Sequence, residues 1–173
     1  MLEPLHETAP AAWLVDNLDV IPRGGRVLDV AAGRGRHARF LAAQGFRVHA
    51  VDRDREALAQ VPHGRRARIT TEYLDLESGT PSLGEQLYGA VIVFNYLHRP
   101  LMPAIVRAVA PGGVLIYETF TTRQASRGHP KNPAFLLREG ELATLVAPLR
   151  VLRAREGDYD GKLISSIVAV REQ

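Results

Sequence analysis

The sequence predicts an α/β fold, a mostly parallel sheet of seven strands with helices on both faces and an antiparallel C-terminal strand. Three observations predict it. Apolar, β-branched runs alternate with helix-like stretches along all 173 residues, a pattern that implies parallel pairing through right-handed crossovers. The stretch "VLDVAAGRGRHARFLAAQG" (27–45) reads as a buried strand, a glycine-rich bend and a helix. Near the end, "LRVLRARE" and "KLISSIVAV" are separated only by "GDYDG". No helix fits between them, so they form a hairpin and pair antiparallel.

Strands are expected at 26–30, 46–51, 68–74, 90–95, 114–119, 149–156 and 163–171. Helices are expected at 10–19, 36–44, 54–60, 81–87, 100–109 and 139–147. The first helix carries the only Trp. Trp13, Leu14 and Leu18 make an apolar stripe, and residues 1–20 are expected to cover the cleft by packing. Gly45 stands where the second helix needs a C′ residue with positive φ. Thr80 before Pro81 looks like an N-cap followed by a proline at the first helical position. The strand at 90–95 contains one of the two longest uninterrupted apolar runs, Ala90 to Phe94. "APGG" (110–113) ends the helix before it and turns tightly into "VLIYETF". A chain of this length is most simply one domain, 1–173.

Composition excludes several classes. The absence of Cys removes disulfides and thiolate metal sites. The six His residues show no i, i+4 pair, and no metal site is expected. The longest apolar run falls far short of the roughly 20 residues of a membrane span. "MLEPLHETAP" lacks the basic and apolar segments of a signal peptide, so a cytoplasmic location is expected. Net charge is +3, from 22 basic and 19 acidic residues. The densest basic group, "HGRRAR" (63–68), falls in a loop, so nucleic acid is not the expected partner. The oligomeric state cannot be read.

In open parallel sheets, ligands bind beyond the carboxyl ends of the strands, where strand order reverses. The first strand, ending at Asp29, is the candidate. Gly33 and Gly35 would permit turn geometry and close approach. The second strand, "FRVHAVD", ends in Asp52, whose carboxylate can accept from both hydroxyls of a ribose. "GRGRHA" (33–38) also satisfies a dinucleotide pattern, so an NAD-dependent oxidoreductase stays open. Charge separates the two readings. A pyrophosphate wants free N–H groups and no nearby acid, whereas the ammonium and sulfonium of S-adenosylmethionine are served by Asp29.

These residues resemble the class I S-adenosylmethionine-dependent methyltransferases, from about Trp13 to the C-terminus. The resemblance implies a Rossmann-like fold, a methyltransferase, and S-adenosyl-L-methionine as cofactor, with S-adenosyl-L-homocysteine as product. Against the family's D-x-G-x-G-x-G, "DVAAGRG" keeps Asp29, Gly33 and Gly35 but has Ala31 at the first glycine. Asp52 matches the ribose-binding acid, with Arg53 beside it at the cofactor. In "YLDLE" (73–77), Asp75 would accept from the adenine amino group, and Leu74 and Leu76 would flank the ring. "APGG" is similar to the family's proline-glycine-glycine turn. The family's acid at the start of the fourth strand is Gly89 here. Together with "NYLHRPL", "ETF" and "NPAFLLREGEL", the chain is similar to small bacterial methyltransferases related to the tellurite-resistance methyltransferases.

The loops after the fourth and fifth strands would face the sulfonium. In "NYLHRP" (95–100), Asn95 and Tyr96 could position an acceptor, Asn95 also touching the cofactor. His98 could act as base and Arg99 could bind an anion. His98 and Arg99 would equally suit a capped helix N-terminus. The thirteen-residue "TTRQASRGHPKNP" (121–133) suggests a binding loop or lid, and Arg123, Arg127 and His129 would welcome an anion. Glu118 is either a site acid or a structural acceptor. The expected reaction is methyl transfer to a small molecule such as an anion, a thiol or a chalcogen compound. Methylation of RNA or protein, and a non-catalytic binding module, are the other readings.

Overall fold

The computed structural model describes residues 8–79 and 81–173. A short α1 (Ala12–Asp16) precedes β1 (Arg26–Val30), α2 (Arg36–Ala43), β2 (Arg47–Asp52), α3 (Arg55–Ala59) and β3 (Ile69–Tyr73). The second half runs β4 (Tyr88–Phe94), α4 (Met102–Ala108), β5 (Val109–Phe120), α5 (Glu141–Leu145), β6 (Arg150–Tyr159) and β7 (Lys162–Val170). The strands lie in the order β3-β2-β1-β4-β5-β7-β6. β7 runs antiparallel to both β5 and β6, and the other neighbours pair parallel. Strand order reverses between β1 and β4, which opens a crevice at their carboxyl ends.

Residue parity on the central strands builds two cores, one on each face. Ala90, Ile92 and Phe94 of β4 join Val27, Val114 and Ile116 beneath Leu14 of α1 and Ala38 and Leu41 of α2. Val91 and Val93 turn the other way, with Leu28, Val30, Leu115 and Tyr117, under Ile105 of α4 and Leu142 of α5. Burial on both faces is what the continuous apolar run of β4 requires.

All seven expected strands form, and one expected helix does not. Residues 81–87 run as an irregular strap. Gly84 and Gln86 hold φ of +85° and +51°, which no right-handed helix admits. The N–H groups of Gln86 and Leu87 donate to the carbonyls of Arg107 and Ala108, at 2.7 and 3.1 Å. The end of α4 thus takes the donors that a helix would have kept. The N-cap expected at Thr80 lies outside the described residues.

The "APGG" turn is drawn into β5. Val109 pairs with Tyr88 and the next pair is Ala90 with Val114, so residues 110–113 bulge. A Cβ on Gly113 would lie 2.8 Å from the Ala110 carbonyl oxygen and 2.9 Å from that of Tyr88. Only glycine fits there. The helix expected at 10–19 is shorter, α1 followed by a 3-10 turn over Leu18–Val20, and residues 1–7 of the expected cover lie outside the described residues. The buried Trp13 donates from Nε1 to the carbonyl of Ile167 on β7. Arg153 on β6 binds Asn17 and Asp19. This cover is therefore fastened to the β6–β7 hairpin.

Candidate functional site

After β1 the chain turns into α2 through Ala31, Gly33 and Gly35, with φ of 56°, 56° and 80°. The three do different work. A Cβ on Gly35 would meet the Val61 methyls at 2.9 and 3.0 Å, whereas around Gly33 there is nothing within 4 Å. Gly35 therefore lets the bend pack on Val61, and the open approach lies at Gly33 alone. Ala31 holds a left-handed conformation with a Cβ, at a cost of about 1–2 kcal/mol.

The bend is tied to β2 twice. The Ala32 N–H donates to the Val51 carbonyl at 3.0 Å, and the Gly33 N–H donates to Asp52 Oδ2 at 2.7 Å. Asp52 Oδ1 accepts from the Asp54 N–H at 2.8 Å. Asp54 in turn caps α3, accepting from Glu56 and Ala57. Each carboxylate oxygen of Asp52 keeps a lone pair for a further donor, and the residue is partly exposed.

Asp29 is 1 % exposed, and its Oδ2 has no partner among the described residues. Burial, and then the negative charge of Asp52, push its carboxyl up to about 8. A buried acid with an unused oxygen beside the open bend suits a cationic ligand. Asp52, Arg53, Leu74 and Asp75 lie around the ends of β2 and β3. Arg53 and Asp75 line one open hollow with Tyr73, and the Leu74 N–H donates to the Asp52 carbonyl. Arg53 is ion-paired with Glu77 at 2.8 Å. Leu76 departs from expectation, being 2 % exposed and part of the core. It presents no surface to a ring.

At the end of β4, Asn95 takes φ 55° and its N–H donates to the Glu118 carbonyl. Asn tolerates that conformation better than most residues. The Tyr96 hydroxyl is buried and unpartnered among the described residues. Its phenol pKa is raised by burial and by the acids at Glu77, Asp52 and Asp75, against a lowering from Arg53. It therefore stays neutral, a hydrogen-bond donor and not a base. His98 precedes a 3-10 turn without capping it by its side chain.

Arg99 turns inward. Its guanidinium binds Glu141 at 2.7 and 2.9 Å and the carbonyls of Ala134 and Leu136 at 3.1 and 2.8 Å. Arg127 pairs with Asp158 at 2.6 Å. The Arg99 guanidinium is thus fully engaged, whereas Arg127 is partly exposed and bonded through one nitrogen. Glu118 accepts from the Ser166 hydroxyl at 2.6 Å, and Arg155 lies at 3.4 Å, which makes it the structural acceptor. The 121–133 loop contains a 3-10 turn, Thr122–Ser126, and Arg123 is exposed on it. His129 lines a hollow with Asn95, Phe120, Lys131 and Phe135. Phe120 and Phe135 went unnoticed in the sequence, where lone aromatics carry no periodic signal. His37 was missed as well. It is 4 % exposed, stacks on Phe94 at 4.3 Å and accepts from the Ala11 N–H at 3.1 Å.

Residues 27–113 match the family model described as a methyltransferase domain. No curated protein matches the sequence. Among solved structures, the fold is similar to TehB from Haemophilus influenzae, with TM-score 0.77, 18% identity, and coverage of 97% of this chain and 64% of that one. It is also similar to a TehB-like SAM-dependent methyltransferase from Corynebacterium glutamicum, with TM-score 0.67, 18% identity, and coverage of 92% and 85%. The glycopeptide N-methyltransferase MtfA, complexed with sinefungin, aligns with TM-score 0.65, 18% identity and 92% coverage of both chains.

Proposed function

The chain belongs to the family of methyltransferase domains, with S-adenosylmethionine as its methyl donor, and from that premise we propose that its acceptor is a small molecule. The observation that carries the reading of the site is the Asp52 carboxylate. It holds the Gly33 N–H at 2.7 Å, beside an open bend and the unpartnered Asp29 oxygen.

On this reading Asp52 accepts from the ribose hydroxyls, Arg53 borders the ribose, and Leu74 and Asp75 border the adenine. Asp29 sits behind the Ala31–Gly35 bend, where it balances the ammonium of the methionyl end. When bound, the sulfonium supplies a methyl carbon open to in-line attack. Asn95 and Tyr96, at the end of β4, hold the reactants in line. Alignment and exclusion of water provide much of the acceleration for such a displacement. An acceptor that arrives as an anion needs no base, and a protonated one needs a group such as His98.

A melting experiment tests the cofactor assignment, since a ligand stabilises the state it binds. S-adenosylhomocysteine is expected to raise Tm, whereas NAD and NADP leave it unchanged, because the methionyl ammonium supplies a cation for the buried Asp29 and a pyrophosphate at the bend does not. A shift with NAD and none with S-adenosylhomocysteine would overturn the assignment.

A further inference from the structure

Beyond the open end of β4 two hollows adjoin. The inner, of about 210 Å³, reaches Tyr96 and Leu97. The outer, of about 560 Å³, opens past His129, Lys131 and Asn132. Asn95, Phe120, Pro130 and Phe135 line both. Phe135 is 47% exposed, more than any other Phe, Tyr or Trp described.

Its exposure is imposed by a rigid support. Phe135 ends a 3-10 turn, Pro133–Phe135, capped by the Asn132 side chain. The next two residues, Leu136 and Leu137, are buried at 1% and 0%. Arg99 clamps the carbonyls on either side of Phe135, those of Ala134 and Leu136. An aromatic ring held out of the core at a hollow's wall is a surface built for contact.

The charge around it is one-sided. Among the described residues lining the outer hollow, Lys131 and His129 face no carboxylate. The acid of the inner hollow, Glu77, is paired with Arg53. Arg123 lines neither hollow. A cavity of about 150 Å³ is enough to hold benzene, so the inner hollow accommodates one substituted ring. A hydrated inorganic oxyanion would lose its water to phenyl and proline walls that return few hydrogen bonds.

Resting on the methyltransferase reading above, we infer that the acceptor is a single-ring aromatic compound carrying an anionic substituent. The ring lies against Phe120 and Phe135, the anion faces Lys131 and His129, and the ring's far edge points to Asn95.

Titration calorimetry tests this with para-hydroxybenzoate, its neutral amide and selenite, each added to protein saturated with S-adenosylhomocysteine. The benzoate is expected to bind at least about tenfold tighter than the amide. Lys131→Gln should erase that difference, and Phe135→Ala should weaken both rings by about tenfold. Both variants should bind S-adenosylhomocysteine like the wild type. Equal binding of benzoate and amide, tighter binding of selenite, or an unchanged Phe135→Ala would overturn the inference and leave the cofactor reading standing. Failure of S-adenosylhomocysteine to bind the wild type, measured in the first titration, would overturn both.

Discussion

Asp52 acts on the bend as well as on a ligand, and its variants should separate the two. Hydrogen bonds to charged groups contribute roughly 1.5–3 kcal/mol each. Asp52→Ala is therefore expected to weaken S-adenosylhomocysteine by about 30- to 1,000-fold. It should also loosen the Gly33 bend, because the 2.7 Å bond is lost. Asp52→Asn keeps an acceptor for Gly33 but turns an amide donor toward the Asp54 N–H, so it should fall between. Calorimetry on both, with circular dichroism as the folding control, decides it. Asp29 makes a different prediction, through pH. Burial, and then the charge of Asp52, raise its pKa in the fold from the ordinary carboxylate value of 3.8 to about 8. Its stabilising contribution is thus complete below about pH 4 and disappears as pH rises through 8. Urea midpoints of the ligand-free protein should fall across that window, and Asp29→Asn should flatten the fall while weakening the cofactor. These two acids were legible in the sequence because each stands at or next to the end of a strand, 23 positions apart. The division of labour between Gly33 and Gly35 was not, since it depends on Val61, a neighbour only in three dimensions.

Elements show where local signals stop being enough. The strands followed from apolar runs, and the hairpin from the shortness of "GDYDG". The strap at 81–87 misled because proline and a preceding threonine are a local helix signal, which the donors of Gln86 and Leu87 override by pairing with α4. Arg99 was misread for a related reason: its partner Glu141 lies 42 residues away. That pair holds the 133–141 segment against the start of α4. Glu141 is held down to about 2, chiefly by its bonds to Arg99. A depressed acid stabilises above its ordinary pKa, so this contribution should be lost as pH falls through about 2. Arg99→Ala leaves Glu141, with a side chain 10% exposed, short of its main partner. A loss of about 2–4 kcal/mol is expected, somewhat below that for breaking a fully buried pair. Arg99→Lys should recover little of it, because the forked geometry is gone. Urea unfolding of the two variants at pH 7 measures both values. Equal stability of Arg99→Ala and the wild type would contradict the clamp.

The whole molecule is held by its two cores, and its acid limit should be set in part by one histidine. His37 is kept neutral, its pKa lowered to about 3 by burial and then by Arg36. Unfolding frees a ring that protonates near its ordinary value of 6.5. Stability is therefore expected to be lost as pH falls from about 6.5 toward 3, opposite in sign to the contribution of Asp29. His37→Gln can still accept from Ala11 and should flatten this limb, which melting curves at pH 4 and 7 would reveal. The order of the sheet has a consequence for how the chain is made. β7, the last strand synthesised, lies between β5 and β6, so β6 has no neighbour until β7 arrives. From Phe120 to Val170 the ribosome must add 50 residues (170 − 120), about 3–10 s of translation. Until the final hairpin closes, the emerged chain presents the bare edge of β5, apolar from Val114 to Tyr117. Such an edge is a template for pairing with other chains. A chaperone that shields nascent strands would find its longest task here, and yield in the cell should depend on how quickly the final hairpin closes.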